Sequence, residues 1–81
     1  MSIDNLKHTD MKTYNLTNNS SYGSEIYNTP ILENATISEV KEKYLDMAGR
    51  YCEPIFDRNF AENSEQFTLP NSYDTLVVKA V

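Results

Sequence analysis

Thr36-Ile37-Ser38-Glu39-Val40-Lys41-Glu42-Lys43-Tyr44-Leu45-Asp46-Met47-Ala48-Gly49 is the stretch that decides the fold. It opens on an S/T-x-x-E pattern, in which the Thr36 hydroxyl and the Glu39 carboxylate each satisfy a backbone N–H left without a partner by the first helical turn. A helix therefore starts at Ile37. Ile37, Val40, Tyr44, Met47, Ala48 and Tyr51 recur at intervals of three and four, an apolar stripe that should face a core. Ser38, Glu39, Glu42, Lys43, Asp46, Arg50 and Glu53 fall on the opposite, solvated face. Glu39 with Lys43 and Asp46 with Arg50 are i,i+4 pairs in the favourable order, each adding about 0.3 kcal/mol. Gly49 ends this helix or weakens its last turn, and Pro54 stops it by residue 53.

On the N-terminal side, Tyr14 and Leu16 alternate with Thr13, Asn15 and Thr17, which predicts a half-buried strand over residues 12–17. Asn18 to Gly23 is dense in turn-forming residues, and Glu25 to Asn28 can return as a second strand that Pro30 confines to an edge or ends. On the C-terminal side, residues 55–60 are ambiguous. Phe56 and Phe60 fit a helical i,i+4 pair, while Ile55 and Phe56 fit a short strand; a strand or irregular segment is the preferred reading. Glu65 to Leu69 alternates, Pro70-Asn71-Ser72 reads as a turn, and Tyr73 to Val81 holds the β-branched run Val77-Val78 suited to a central strand. The expected fold class is α+β: a small antiparallel sheet with one amphipathic helix packed on one face, in the order strand-strand-helix-strand-strand. Residues 1–10 show no period and are expected as a loosely ordered tail, docked if at all by Ile3 and Leu6. Residues 11–81 form the single domain.

At 81 residues and 9.3 kDa, the chain is too short for a substrate cavity between two lobes. Ile, Leu, Val and Phe number 18 of 81 residues, or 22%, just above the level of about 20% at which disorder becomes the better expectation, so the chain folds with little to spare. The net charge of −5 opposes a sequence-independent grip on a phosphate backbone or an anionic membrane. No window approaches a membrane span, and the N-terminus has neither the basic start nor the apolar run of a secretory signal. A single cysteine suits a reducing compartment. The expected location is cytoplasmic.

Little catalytic chemistry is on offer. His8 is the one histidine and lies in the unpatterned tail; Cys52 follows Tyr51 and reads as a small core residue. Two Cys and His together fall short of the four ligands that structural zinc takes, no calcium loop is present, and two isolated glycines, Gly23 and Gly49, make no phosphate cradle. The carboxylate pairs Glu62 with Glu65 and Glu39 with Glu42 read as solvated surface. No cofactor is expected, and the protein is expected not to be an enzyme. Asn-x-Ser/Thr matches at Asn15, Asn18, Asn19 and Asn34 follow from richness in these residues. Six tyrosines against three Phe and no Trp suit a surface that is dry when bound and wet when free. Tyr44 and Tyr51 belong to the core by helical phase, whereas Tyr22 and Tyr27 flank a loop and are the better contact residues.

Over residues 11–81, this acidic, Tyr- and Asn-rich chain with a strand-strand-helix-strand layout resembles the small phage-encoded inhibitors of bacterial defence, anti-CRISPR proteins among them. The resemblance rests on size, charge and layout. It implies a stoichiometric inhibitor, in the cytoplasm of a bacterial host cell, whose protein partner is a basic nucleic-acid-binding effector. Such inhibitors often present carboxylates where the effector expects phosphates. Here these would be Glu39, Glu42, Asp46 and Glu53 on the helix, with Glu25 and Glu33 beside the second strand. The dilution of that charge by Lys41, Lys43 and Arg50 leaves plain steric blocking equally open. The alternative is a small homo-oligomeric accessory or regulatory protein assembling through the edge of strand two or the C-terminal strand.

Overall fold

The computed structural model describes residues 12–22, 25–71 and 74–81. The expected tail with Ile3, Leu6 and His8, and also Gly23 and Tyr73, lie outside them. The elements run β1 (Tyr14–Tyr22), β2 (Glu25–Ala35), α1 (Ile37–Ala48), a 3-10 turn at Arg50–Cys52, α2 (Glu53–Glu62), β3 (Gln66–Asn71) and β4 (Asp74–Ala80). The strands form one sheet in the order β2-β1-β4-β3, and every neighbouring pair is antiparallel. The fold class is α+β, as the sequence predicts.

Strand register places Leu16 opposite Val78, and Val78 in turn opposite Phe67; Leu76 faces Leu69. These side chains, with Tyr14, share one face of the sheet and are buried together with Val40, Tyr44 and Leu45 of α1 and Phe56 of α2. Phe56 meets Phe67 edge-on, ring centroids 5.5 Å apart at 85°, the arrangement that the aromatic quadrupole favours. The other face carries Asn15, Thr17, Asn19, Thr68, Thr75 and Lys79 by the same register. The abundance of Asn and Thr is thus that of a sheet with one face packed and one face wet.

Residues 53–62 correct the sequence reading, which preferred a strand or irregular segment at 55–60. Gly49 ends α1 before Pro54 is reached, and Pro54 sits in the first turn of α2. There its missing N–H costs nothing and its fixed φ suits a helix start. Phe56 and Phe60 are accordingly an i,i+4 pair, their rings stacked at 6.3 Å. Lys41 of α1 binds Glu53 at 2.8 Å and Asp57 at 2.9 Å, tying the helices together.

The first hairpin is also longer than expected. β1 continues through the anticipated turn to Tyr22, and β2 runs past Pro30 to Ala35. Pro30 is tolerated because β2 is an edge strand. β4 reaches only as far as the Asn19–Thr75 pair, so residues 20–22 and 25–27 form a two-stranded ribbon beyond the core. Register shifts flank Leu16. In this irregular stretch Asn34 takes a positive φ of 56°, and its N–H donates to Asn15 Oδ1 at 3.0 Å. At the far end, Pro70 and Asn71, expected in a turn, belong to β3 and pair with Thr75 and Asp74.

Candidate functional site

The end of β2 and the outer side of α1 enclose an open groove of about 620 Å³ lined by residues 32–35 and by Ser38, Glu39, Glu42, Lys43 and Asp46. The bulged end of β2 runs directly into Thr36, the N-cap of α1, and so places Glu33 across from the first two turns of the helix. Four of the six carboxylates predicted for partner binding, Glu33, Glu39, Glu42 and Asp46, therefore share one concavity.

Their partners differ. Glu39 closes the predicted capping box: its Oε1 accepts the Thr36 N–H at 2.8 Å, and its own N–H donates to Thr36 Oγ1 at 3.2 Å. Glu42 accepts from Arg50 at 2.8 Å. Glu33 and Asp46 make no ion pair or side-chain hydrogen bond among the described residues. The two pairs predicted along the helix, Glu39–Lys43 and Asp46–Arg50, do not form. The helix ends at Ala48, so Arg50 leaves the helical phase and turns to Glu42 instead.

Glu53 and Glu25 lie apart from the groove. Glu53 is not on α1 at all; it opens α2, where it and Asp57 hold Lys41. These two hydrogen bonds, Glu53 first, raise the Lys41 pKa above its ordinary value. Glu25 is on the projecting ribbon and accepts from the Tyr27 hydroxyl; that carboxylate raises the Tyr27 pKa. Tyr27 is exposed, as expected of a contact residue, with Ile26 exposed beside it. Tyr22 ends β1 opposite Glu25, and only its backbone position is described.

Two residues assigned to the core by helical phase are on the surface. Tyr51 is 84% exposed and Met47 39% exposed. The stripe does not carry across Gly49, whose φ of 109° and ψ of 144° end the helical path. The 3-10 turn that follows sends Tyr51 outward and Cys52 inward, where its thiol donates to the Ala48 carbonyl at 3.6 Å. Leu45, absent from the stripe, is buried in their place.

Of the carboxylate pairs, Glu62 and Glu65 flank the α2–β3 connection and are both exposed, with Glu65 bound to Lys12. Among the described residues no group of three or more His, Cys, Asp and Glu could hold a metal ion. No described helix is long and apolar enough to cross a membrane. What the groove offers chemically is an acidic, solvent-facing concavity in which Lys43 is the one lining cation. No family model, curated protein or solved structure matches the chain.

Proposed function

We propose that this chain acts by binding another protein, without chemistry of its own, and that its acidic groove meets a basic, nucleic-acid-handling surface of a bacterial defence effector. The observation that carries this reading is the gathering of Glu33, Glu39, Glu42 and Asp46 about one open groove. The groove pairs complementary potential with a shape that a convex partner can enter, which speeds encounter and rejects wrong partners. Carboxylates committed to Arg50 and to the helix cap still contribute to that potential, and exposed pairs exchange at little cost. Glu33 and Asp46 are the two ready to accept a partner's cations directly. Tyr27 and Ile26 on the ribbon provide a second point of contact.

The test is capture. The immobilised protein should retain a basic protein from a lysate of a phage-susceptible bacterium and release it with salt, and Glu33→Lys with Asp46→Lys should abolish retention. Retention that survives both high salt and the double reversal would contradict the reading.

The second reading, self-assembly through a sheet edge, is favoured by the position of β2, an 11-residue strand with one side unpaired by the sheet. The C-terminal strand is not available for it, because β4 lies between β1 and β3. Light scattering tests it: a dimer abolished by a proline at Asn28 would support edge pairing, and a monomer at high concentration would exclude it.

A further inference from the structure

We propose that the open edge of β2 takes an extended, basic segment of the partner as an added strand, paired along Glu25–Thr29 and leading into the acidic groove. The proposal rests on the acidic-groove reading and names the element of the partner that would meet it.

β2 is bordered in the sheet by β1 alone, so the backbone groups along its other side have no strand to bond. Pro30 stands opposite Thr17 and has no N–H to give β1, which a sheet tolerates where a residue turns its backbone groups outward at an edge. Residues of an antiparallel ladder alternate in this respect, so Ile26 and Asn28 turn their N–H and C=O groups outward as well. Every residue from Glu25 to Pro30 is exposed. Beyond Pro30, the extra residue Ile31 shifts the register between Pro30 and Leu32, and a bulge of this kind interrupts regular pairing. The stretch open to a new strand is therefore Glu25–Thr29.

The charge along the edge selects the occupant. Edge strands are commonly guarded by lysine, yet no Lys or Arg occurs between residues 13 and 40. The charged residues of β2 are Glu25 and Glu33, and Glu33 also lines the groove, so edge and groove form one acidic track. Opposite charges across a strand pair attract and like charges repel, which favours a segment carrying Arg or Lys. A second copy fits less well. The register that overlaps two β2 strands completely sets Pro30 against Pro30, and the next that keeps side chains on matching faces sets Glu25 of each against Glu33 of the other.

The experiment is a titration of the full chain followed by amide chemical shifts and amide exchange at low ionic strength. The probes are acetylated and amidated Arg-Thr-Val-Thr-Arg, the same peptide N-methylated at its three internal residues, and Glu-Thr-Val-Thr-Glu. Arg-Thr-Val-Thr-Arg should move the amides of Ile26 and Asn28 and slow their exchange with solvent; the N-methylated peptide, with the same charge but without the internal donors, should do neither. Asn28→Pro, at an exposed position, removes one outward N–H and should weaken binding by about fivefold, the scale of one ladder hydrogen bond. Identical shifts from the two arginine peptides, confined to residues 33–46, would overturn strand addition while leaving the acidic groove standing. Equal protection of Asn28 by Glu-Thr-Val-Thr-Glu would overturn the basic occupant and count against the groove as well. Protection of Asn28 that rises with protein concentration in the absence of peptide would assign the edge to a second copy of this chain and overturn the proposal.

Discussion

The ring of Tyr51 occupies the space that a side chain on residue 49 would need: a Cβ built on Gly49 comes within 2.5 Å of Tyr51 Cε1 and 2.9 Å of Cδ1. Gly49 therefore has two roles. Its φ of 109° ends α1 in a region that residues with a Cβ rarely enter, and its bare α-carbon lets the tyrosine ring approach the chain closely.

Gly49→Ala should accordingly cost about 1–3 kcal/mol, the usual scale for forcing a side chain into a glycine-only backbone region. Urea denaturation measures it. An unchanged midpoint would mean that the α1–α2 connection relaxes to another path.

Val40 is fully buried on α1. Val40→Asp places an unpaired carboxylate in the core at a cost of several kcal/mol, comparable with a total stability of about 5 kcal/mol for a domain of this size. We expect no cooperative thermal transition by circular dichroism. A normal melt would show that α1 does not pack on the sheet through this face.

Tyr44 links α1 to the β3–β4 hairpin through a hydroxyl that donates to the Pro70 carbonyl at 3.1 Å. Burial first, and the neighbouring Cys52 sulfur second, raise its pKa from the ordinary 10 to about 12. A folded-state pKa above the unfolded one means that its contribution to stability is intact below about pH 10 and lost as pH climbs through about 12. Lys41, raised by Glu53 and Asp57, has the same sign. Stability should therefore hold from neutral pH to about 10 and then fall. Tyr44→Phe should lower stability at neutral pH by about 1 kcal/mol, the value of one hydrogen bond, and flatten the alkaline fall. Denaturation midpoints across pH 7–12 check both; a steeper fall in Tyr44→Phe would contradict the assignment.

Particular residues explain how far the sequence could be read. Thr36 and Glu39 act through contacts three residues apart, so the start of α1 was legible. Glu53 to Glu62 was not, because Pro54 reads as a helix breaker, whereas Gly49 already ends α1 and Pro54 sits in the first turn of α2, where proline is favoured. The ribbon at residues 20–22 was illegible for another reason: it extends past β4 and has no core to face, so its strand shows no apolar alternation. Helical phase misplaced Tyr51 because a phase extrapolated through Gly49 assumes helical backbone there. Of the predicted site, Glu33, Glu39, Glu42 and Asp46 come together, a convergence that depends on the bend at Asn34 and is not encoded in their spacing. Glu53 falls away from them because it belongs to α2.

The most direct test of the acidic groove is the association rate with the captured partner as a function of salt, for the natural chain and for Glu33→Lys with Asp46→Lys. Both residues are exposed and outside the helix cap, so the double variant should fold normally. Long-range attraction acts mainly on encounter and is screened over about 8 Å at physiological ionic strength. The account predicts an association rate that falls steeply with salt, and a double variant that associates at least about tenfold more slowly at low salt and has lost most of that salt dependence. A normally folded double variant that associates at the unaltered rate at low salt would contradict it.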